Sequence, residues 1–296
     1  MKQSLTYYLT LLVIRLKGLK KSFSQDPVDF KKIRKEDVHT PKGAFFKKNT
    51  IRSFRIASSS ITEIKKEEPS VKLLIFIHGG AFISGPAQHH WDTVKELSRH
   101  TDFTIWMCNY PKAPEYKITL ISENIDAIYN EALTNYESSK ICLIGDSVGG
   151  TLITALTQRL IIKNKQLPYK IILVCPVMDA SMTNPEMDIV DKIDPMLSKV
   201  GLLSAKKMCI EDDNLKNTMI SPLYGSFNKF PETIIYAGTN DITYPDQILA
   251  IEKLRNSNVK VKLTEGKNMP HIWPFLPVMK EAKLSLKEMI TILNTH

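Results

Sequence analysis

From about residue 71 onward, short apolar runs take turns with longer stretches in which apolar residues recur every three or four positions. The runs Lys72–Ile77, Thr104–Cys108, Ile141–Ile144, Lys170–Cys175 and Thr233–Ala237 are too short for helices and almost free of charge, as strands covered on both faces should be. Val259–Leu263 alternates instead, like a strand buried on one face. The wider spacing predicts helices near Trp91–Arg99, Ile118–Leu133, Thr151–Lys163, Asp246–Asn256 and Val278–Leu293. Strands alternating with helices predict an α/β domain on a mainly parallel sheet. At 296 residues and 43% apolar content, the chain is long enough to bury the core of one large domain of that kind.

Two stretches depart from this rhythm. Near the N-terminus Leu5, Leu9, Leu12, Leu16 and Leu19 fall on one face of a helix. That run is shorter than the roughly 20 apolar residues of a membrane span, and no small-residue cleavage site follows it. Between Cys175 and Thr233 the alternation lapses again. Pro176-Val177-Met178-Asp179 closes a strand, and Asp194-Pro195, an N-cap and N1 pair, is expected to open a helix. Six of the eleven methionines lie from Met178 to Met219. The adaptable thioether suits either of two roles, lining an acyl pocket or filling irregular space.

Candidate chemistry sits at the ends of the predicted strands. Gly145-Asp146-Ser147-Val148-Gly149, a G-x-S-x-G sequence, lies between Ile141–Ile144 and the helix expected from Thr151. In that context it makes an elbow that exposes a strained serine above the sheet, and its glycines let strand and helix close on each other. A nucleophilic serine needs a base and a group that orients the base, here in the chain order serine, acid, histidine. Only His271 and the terminal His296 follow Ser147. His271 enters a loop after a predicted strand, whereas chain ends fray, so His271 is the candidate base. Asp241, in the loop after Thr233–Ala237, is the first candidate for the acid, and Asp246 the second. Upstream, the run ending at Ile77 leads into His78-Gly79-Gly80-Ala81-Phe82. Gly79, Gly80 and Val148 are the candidate N–H donors to an oxyanion, each worth about 3–4 kcal/mol in the transition state. His78 reads as a brace for that loop.

Taken in order, these blocks resemble the hormone-sensitive lipase family of carboxylesterases. Residues 78–82 (HGGAF) resemble its HGG[GA] motif, and 145–150 (GDSVGG) its GDSAGG. Tyr110-Pro111-Lys112-Ala113-Pro114-Glu115 resembles its Y-x-x-A-P-E loop, and Ser221-Pro222-Leu223 its S-P-L segment. Asp241 and His271 stand at its acid and base positions. Two departures are Ala81, a tolerated variant of the third motif position, and the spacing of Asp246 beyond the acid. The resemblance implies an α/β-hydrolase fold: a mainly parallel eight-stranded sheet, helices on both faces, and a helical cap. It implies a serine carboxylesterase for short- to medium-chain acyl or acetyl esters, a small-molecule substrate, with no cofactor or metal. Residues 1–50 become a basic helical cap segment, and 51–296 a catalytic domain with a cap insertion around 180–220. As in the family's cap helices, the leucine face is expected to pack over the active-site mouth. An amidase or deacetylase with the same triad is the alternative. A non-catalytic ligand-binding member of the fold ranks lower, because His271 is retained.

Charge changes the picture only at the N-terminus. The net charge is +9, yet residues 1–72 hold 17 Lys and Arg against 7 Asp and Glu, while the rest hold 23 against 24. Arg15, Lys17, Lys20 and Lys21 flank the leucine stripe, so a second reading lays the helix on an anionic membrane surface. The cap reading is preferred, which leaves peripheral membrane contact unfavoured. No nucleic-acid module accompanies the lysines, so no nucleic acid is expected as partner. Cys108, Cys142 and Cys175 fall in predicted strands and Cys209 in a helix-like segment, with no C-x-x-C pair. They read as small core residues of a cytoplasmic protein, outside any metal site.

Overall fold

The computed structural model describes residues 2–48, 51–66 and 70–295; His296 lies outside them. Eight strands form one sheet: β1 (Ile51–Ile56), β2 (Ser59–Ile64), β3 (Leu73–Ile77), β4 (Thr104–Asn109), β5 (Ile141–Asp146), β6 (Lys170–Val174), β7 (Glu232–Gly238) and β8 (Val261–Gly266). Their order is β1-β2-β4-β3-β5-β6-β7-β8. β2 runs antiparallel to both neighbours and all other pairings are parallel. Every residue of β3, β5 and β6 is buried, so helices cover both faces of the sheet's centre. β8, on the edge, is mostly exposed or half-buried until Gly266.

Among the described residues seven longer helices surround the sheet: α1 (Leu5–Leu16), α2 (Gln88–His100), α3 (Ile118–Asn135), α4 (Val148–Ile162), α5 (Lys199–Cys209), α6 (Tyr244–Asn256) and α7 (Lys280–Asn294). Five match the helices expected from the spacing. The β1–β2 hairpin is new relative to that reading. Arg52 and Arg55 interrupt its first apolar run, and Ala57, at φ 49°, makes the tight turn where hairpins usually place Asn or Gly.

Two expectations need correction. The helix foreseen at Asp194-Pro195 begins only at Lys199, behind Ser198. One Asp194 carboxylate oxygen instead accepts the N–H groups of Met196 and Leu197 (2.7 and 2.9 Å), and the other accepts that of Ile242 (2.8 Å). α1 differs from expectation too, because its leucine stripe is not its packed face. Tyr7 and Ile14 are buried and Leu11 is half-buried, whereas Leu5 and Leu16 are 88% and 78% exposed and Leu9 and Leu12 51% and 53%. The helix is apolar nearly all round, so leucine spacing alone does not select the docking face. Tyr7 does, because its hydroxyl reaches the Asn268 carbonyl at 2.8 Å. Between β6 and β7, Met178, Met182, Met187 and Met196 are buried in the main core.

Candidate active site

Ser147 follows β5 with φ 52° and ψ −124°. Such backbone costs a non-glycine residue on the order of 1–3 kcal/mol and persists only where neighbours hold it. Here the Ser147 N–H donates to Val174 O at 2.9 Å, and its carbonyl accepts from Gly150, Thr151 and Val177 at 3.0, 3.3 and 3.2 Å. The elbow also depends on Gly149, where a Cβ would stand 2.0 Å from Ile77 O. α4 therefore crosses β3 at backbone contact, as the motif predicts.

Asp241 and His271 lie in the loops after β7 and β8, at the same carboxyl edge of the sheet as Ser147. His271 Nδ1 and Asp241 Oδ2 are 2.8 Å apart and both side chains are buried. Asp241 Oδ1 accepts from the backbone N–H and hydroxyl of Thr243 (2.9 and 2.8 Å), and Oδ2 also accepts from Gln247 Nε2 at 3.1 Å. Burial alone would raise the Asp241 pKa, but the His271 ring and the Thr243 donors outweigh it and hold the carboxyl below its ordinary value. Burial would likewise push the His271 ring down. The charge and hydrogen bond of Asp241, helped by Asp194 and Asp146, overcome that and raise it above the ordinary value. Among the described residues the Ser147 hydroxyl makes no hydrogen bond, to His271 or elsewhere.

Asp246 stands apart from this pair. Its Oδ1 accepts from Asn184 Nδ2 at 2.9 Å, and burial, then Asp179, pushes its carboxyl up to about 6. It ties α6 to the segment between β6 and β7, and of the two aspartates only Asp241 contacts His271.

The oxyanion loop departs from expectation in one donor. Gly79 N–H is taken by Asp146 Oδ1 at 3.0 Å. Among the described residues the N–H groups of Gly80, Ala81 and Val148 have no such partner, so the free donors are shifted one residue along the motif. Gly79 retains a steric role, since a Cβ there would meet Asp146 Oδ2 at 2.4 Å. His78 braces the loop as expected. Its Nδ1 lies 2.6 Å from Gly79 O, its ring stacks on Tyr110 at 4.5 Å, and Tyr110 Oη donates to its carbonyl at 2.8 Å. Burial drives the His78 pKa well below the ordinary value, so the ring is neutral.

Asp146 links three parts of the site, a role not read from the sequence although it is the first x of G-x-S-x-G. Besides Gly79 it accepts from His90 Nε2 on α2 at 3.2 Å. Thr243 was missed as well; an aspartate bonding the backbone two residues on is a recognised turn signature. Among the described residues two groups place metal-type ligand atoms together: His89, His90 and Asp146, and Cys175, Asp241 and His271. In the first, Ala87 N–H donates to His90 Nδ1 at 2.8 Å, which puts the ring proton on Nε2 facing Asp146. Neither nitrogen of His90 is then a free ligand. The second group contains the hydrogen-bonded Asp241–His271 pair itself. A polar cleft of about 340 Å³, lined by Arg34, Arg55, Lys112 and Glu115 among others, reaches Tyr110 but none of Ser147, Asp241 or His271.

Serine, aspartate and histidine thus follow one another along the chain at the ends of β5, β7 and β8, the arrangement by which serine hydrolases of the α/β-hydrolase type are recognised. Residues 74–275 match the model of the α/β hydrolase fold family, and the chain belongs to that family. An esterase of Acinetobacter venetianus is 30% identical over 253 residues, 82% of each chain. Among solved structures, an esterase from the bacterial hormone-sensitive lipase family has a TM-score of 0.86 at 20% identity, over 99% of this chain and 98% of that one. EstE5, soaked with p-nitrophenyl butyrate, has a TM-score of 0.88 at 21% identity over 98% of both. This chain is a carboxylic ester hydrolase of the α/β hydrolase fold family.

Proposed function

We propose that this ester hydrolase works through an acyl-enzyme on Ser147 and takes short- to medium-chain acyl or acetyl esters. The observation that carries the reading is the buried 2.8 Å pair of His271 Nδ1 and Asp241 Oδ2. With its Nδ1 proton held by Asp241, His271 keeps Nε2 as acceptor for the serine proton. Ser147 Oγ attacks the ester carbonyl while its proton passes to Nε2. Charge collects on the former carbonyl oxygen, toward the N–H groups of Gly80, Ala81 and Val148. As the ester C–O bond breaks, the imidazolium returns the proton to the leaving alcohol. A water molecule then attacks the acyl carbon and gives its proton to His271, and Ser147 is restored with release of the acid. The serine–histidine hydrogen bond tightens as substrate enters, a common feature of such sites.

Support for a short acyl group is the p-nitrophenyl butyrate soaked into the structural relative EstE5. The insertion around 180–220 serves as cap, held near the acid by the contacts of Asp194 with Ile242 and of Asn184 with Asp246. Four buried, free cysteines suit a reducing compartment such as the cytoplasm. A panel of p-nitrophenyl esters from acetate to palmitate, with Ser147→Ala as blank, tests the reading. Hydrolysis should be highest for the short and medium chains, fall for the long ones, and vanish in the blank. A rate that climbs toward palmitate would overturn the substrate class, and full activity in Ser147→Ala would overturn the nucleophile.

A further inference from the structure

α1 is apolar around nearly its whole circumference; apart from two tyrosines, only Thr6, Thr10 and Arg15 in Leu5–Leu16 are polar. A helix of that kind needs cover on both sides, and the protein covers one. Tyr7, Leu11 and Ile14 face inward. Leu5, Tyr8, Leu9, Leu12, Val13 and Leu16 are all exposed. Spaced three and four apart, they draw a continuous stripe along the helix. Single exposed leucines are commonplace, but large apolar side chains gathered on one short helix mark a contact surface.

The charge beside the stripe indicates what the surface contacts. Between residues 2 and 24 the chain carries Lys2, Arg15, Lys17, Lys20 and Lys21 and no acidic residue. Lys20 is tied to the insertion through Asp191 and the Asp194 carbonyl. Among the described residues the other four make no salt bridge. The helix is also held firmly from behind. Ser4 bonds Glu281 through its N–H and hydroxyl (2.7 and 2.8 Å), Lys280 N donates to Thr6 Oγ1 at 2.9 Å, and Tyr7 reaches Asn268.

We infer that α1 is an interfacial anchor that lays the enzyme on an anionic lipid surface, with the leucine stripe at the acyl boundary and the basic side chains among the headgroups. The helix lies on the bilayer and does not cross it. Among the described residues no helix is long and apolar enough to do so. A second copy of this chain is the competing occupant. A two-fold contact, however, sets a patch against itself, so the basic flanks would meet with no acidic partner. An anionic bilayer offers apolar depth and negative charge together. The order of preference drawn from the sequence is reversed, because the face that the cap reading buries is the exposed one.

Co-sedimentation with phosphatidylcholine vesicles, with and without phosphatidylserine, tests the inference and is read independently of turnover. The protein should bind the phosphatidylserine vesicles and release as salt rises. Leu9→Ser and Leu12→Ser should each weaken binding about tenfold, with hydrolysis of soluble p-nitrophenyl acetate unchanged in the absence of vesicles. Absence of binding to anionic vesicles would overturn the anchor while leaving the hydrolase reading intact, as would variants that bind like the parent. Sedimentation velocity showing a dimer that Leu9→Ser/Leu12→Ser splits into monomers would assign the stripe to a second copy and equally overturn it.

Discussion

Among single residues, His271 carries the sharpest consequences. A base must be neutral to accept the serine proton, and the pKa of His271 is raised mainly by Asp241 against the effect of burial. Activity should therefore rise with pH through an inflection above the ordinary histidine value of about 6.5. Asp241→Asn removes the charge that raises the ring, so the inflection should move to lower pH while kcat falls about 10³- to 10⁴-fold. Asp194→Asn separates the two effects. Its carboxyl, pushed up to about 6 by burial and then by Asp241, also raises His271. Replacing it should shift the inflection downward with a far smaller loss of kcat. Profiles of kcat/KM against pH on a soluble ester check all three, and an inflection indifferent to both substitutions would contradict the coupling. The placing of Ser147, Asp241 and His271 at one edge of the sheet was legible because their types and chain order follow a chemical pattern. Which N–H of the glycine pair is free was not, because it depends on Asp146 binding Gly79, a contact between segments 67 residues apart.

Elements show the same division between what a pattern fixes and what packing decides. Apolar runs such as Leu73–Ile77 announce strands buried on both faces, and the three-to-four spacing of Ile118–Asn135 announces a helix. Interruption by arginines hides β1, and the carboxylate of Asp194 delays α5 by binding Met196, Leu197 and Ile242. The crossing of α4 over β3 has a direct test. Gly149→Ala forces a Cβ to 2.0 Å from Ile77 O, so denaturant unfolding should show a loss of about 3 kcal/mol. Stability equal to the parent would mean that the crossing is looser than described. At the other end of the chain, Glu281→Ala removes both bonds to Ser4. Amide exchange across Leu5–Leu16 should then quicken with little change in Tm, since the fault is local. Unchanged exchange there would show that Tyr7 and Ile14 suffice to hold α1.

For the whole molecule, strand order turns a linear sequence into a site. β6 lies between β5 and β7, and β8 flanks β7, so residues separated by 94 and 30 positions along the chain arrive at one carboxyl edge. The sheet and its family were readable from rhythm and motifs together. The outward face of α1 was not, because an all-round apolar helix gives no sequence cue to which side the protein covers. Everything proposed for the chemistry depends on Ser147 being the nucleophile at that edge. Reaction of the folded protein with a fluorophosphonate, followed by peptide mass spectrometry, measures this most directly. One adduct on Ser147, formed in parallel with loss of ester hydrolysis and abolished by His271→Ala, is the expected result. An adduct on any other serine, or none on folded and active protein, would contradict it.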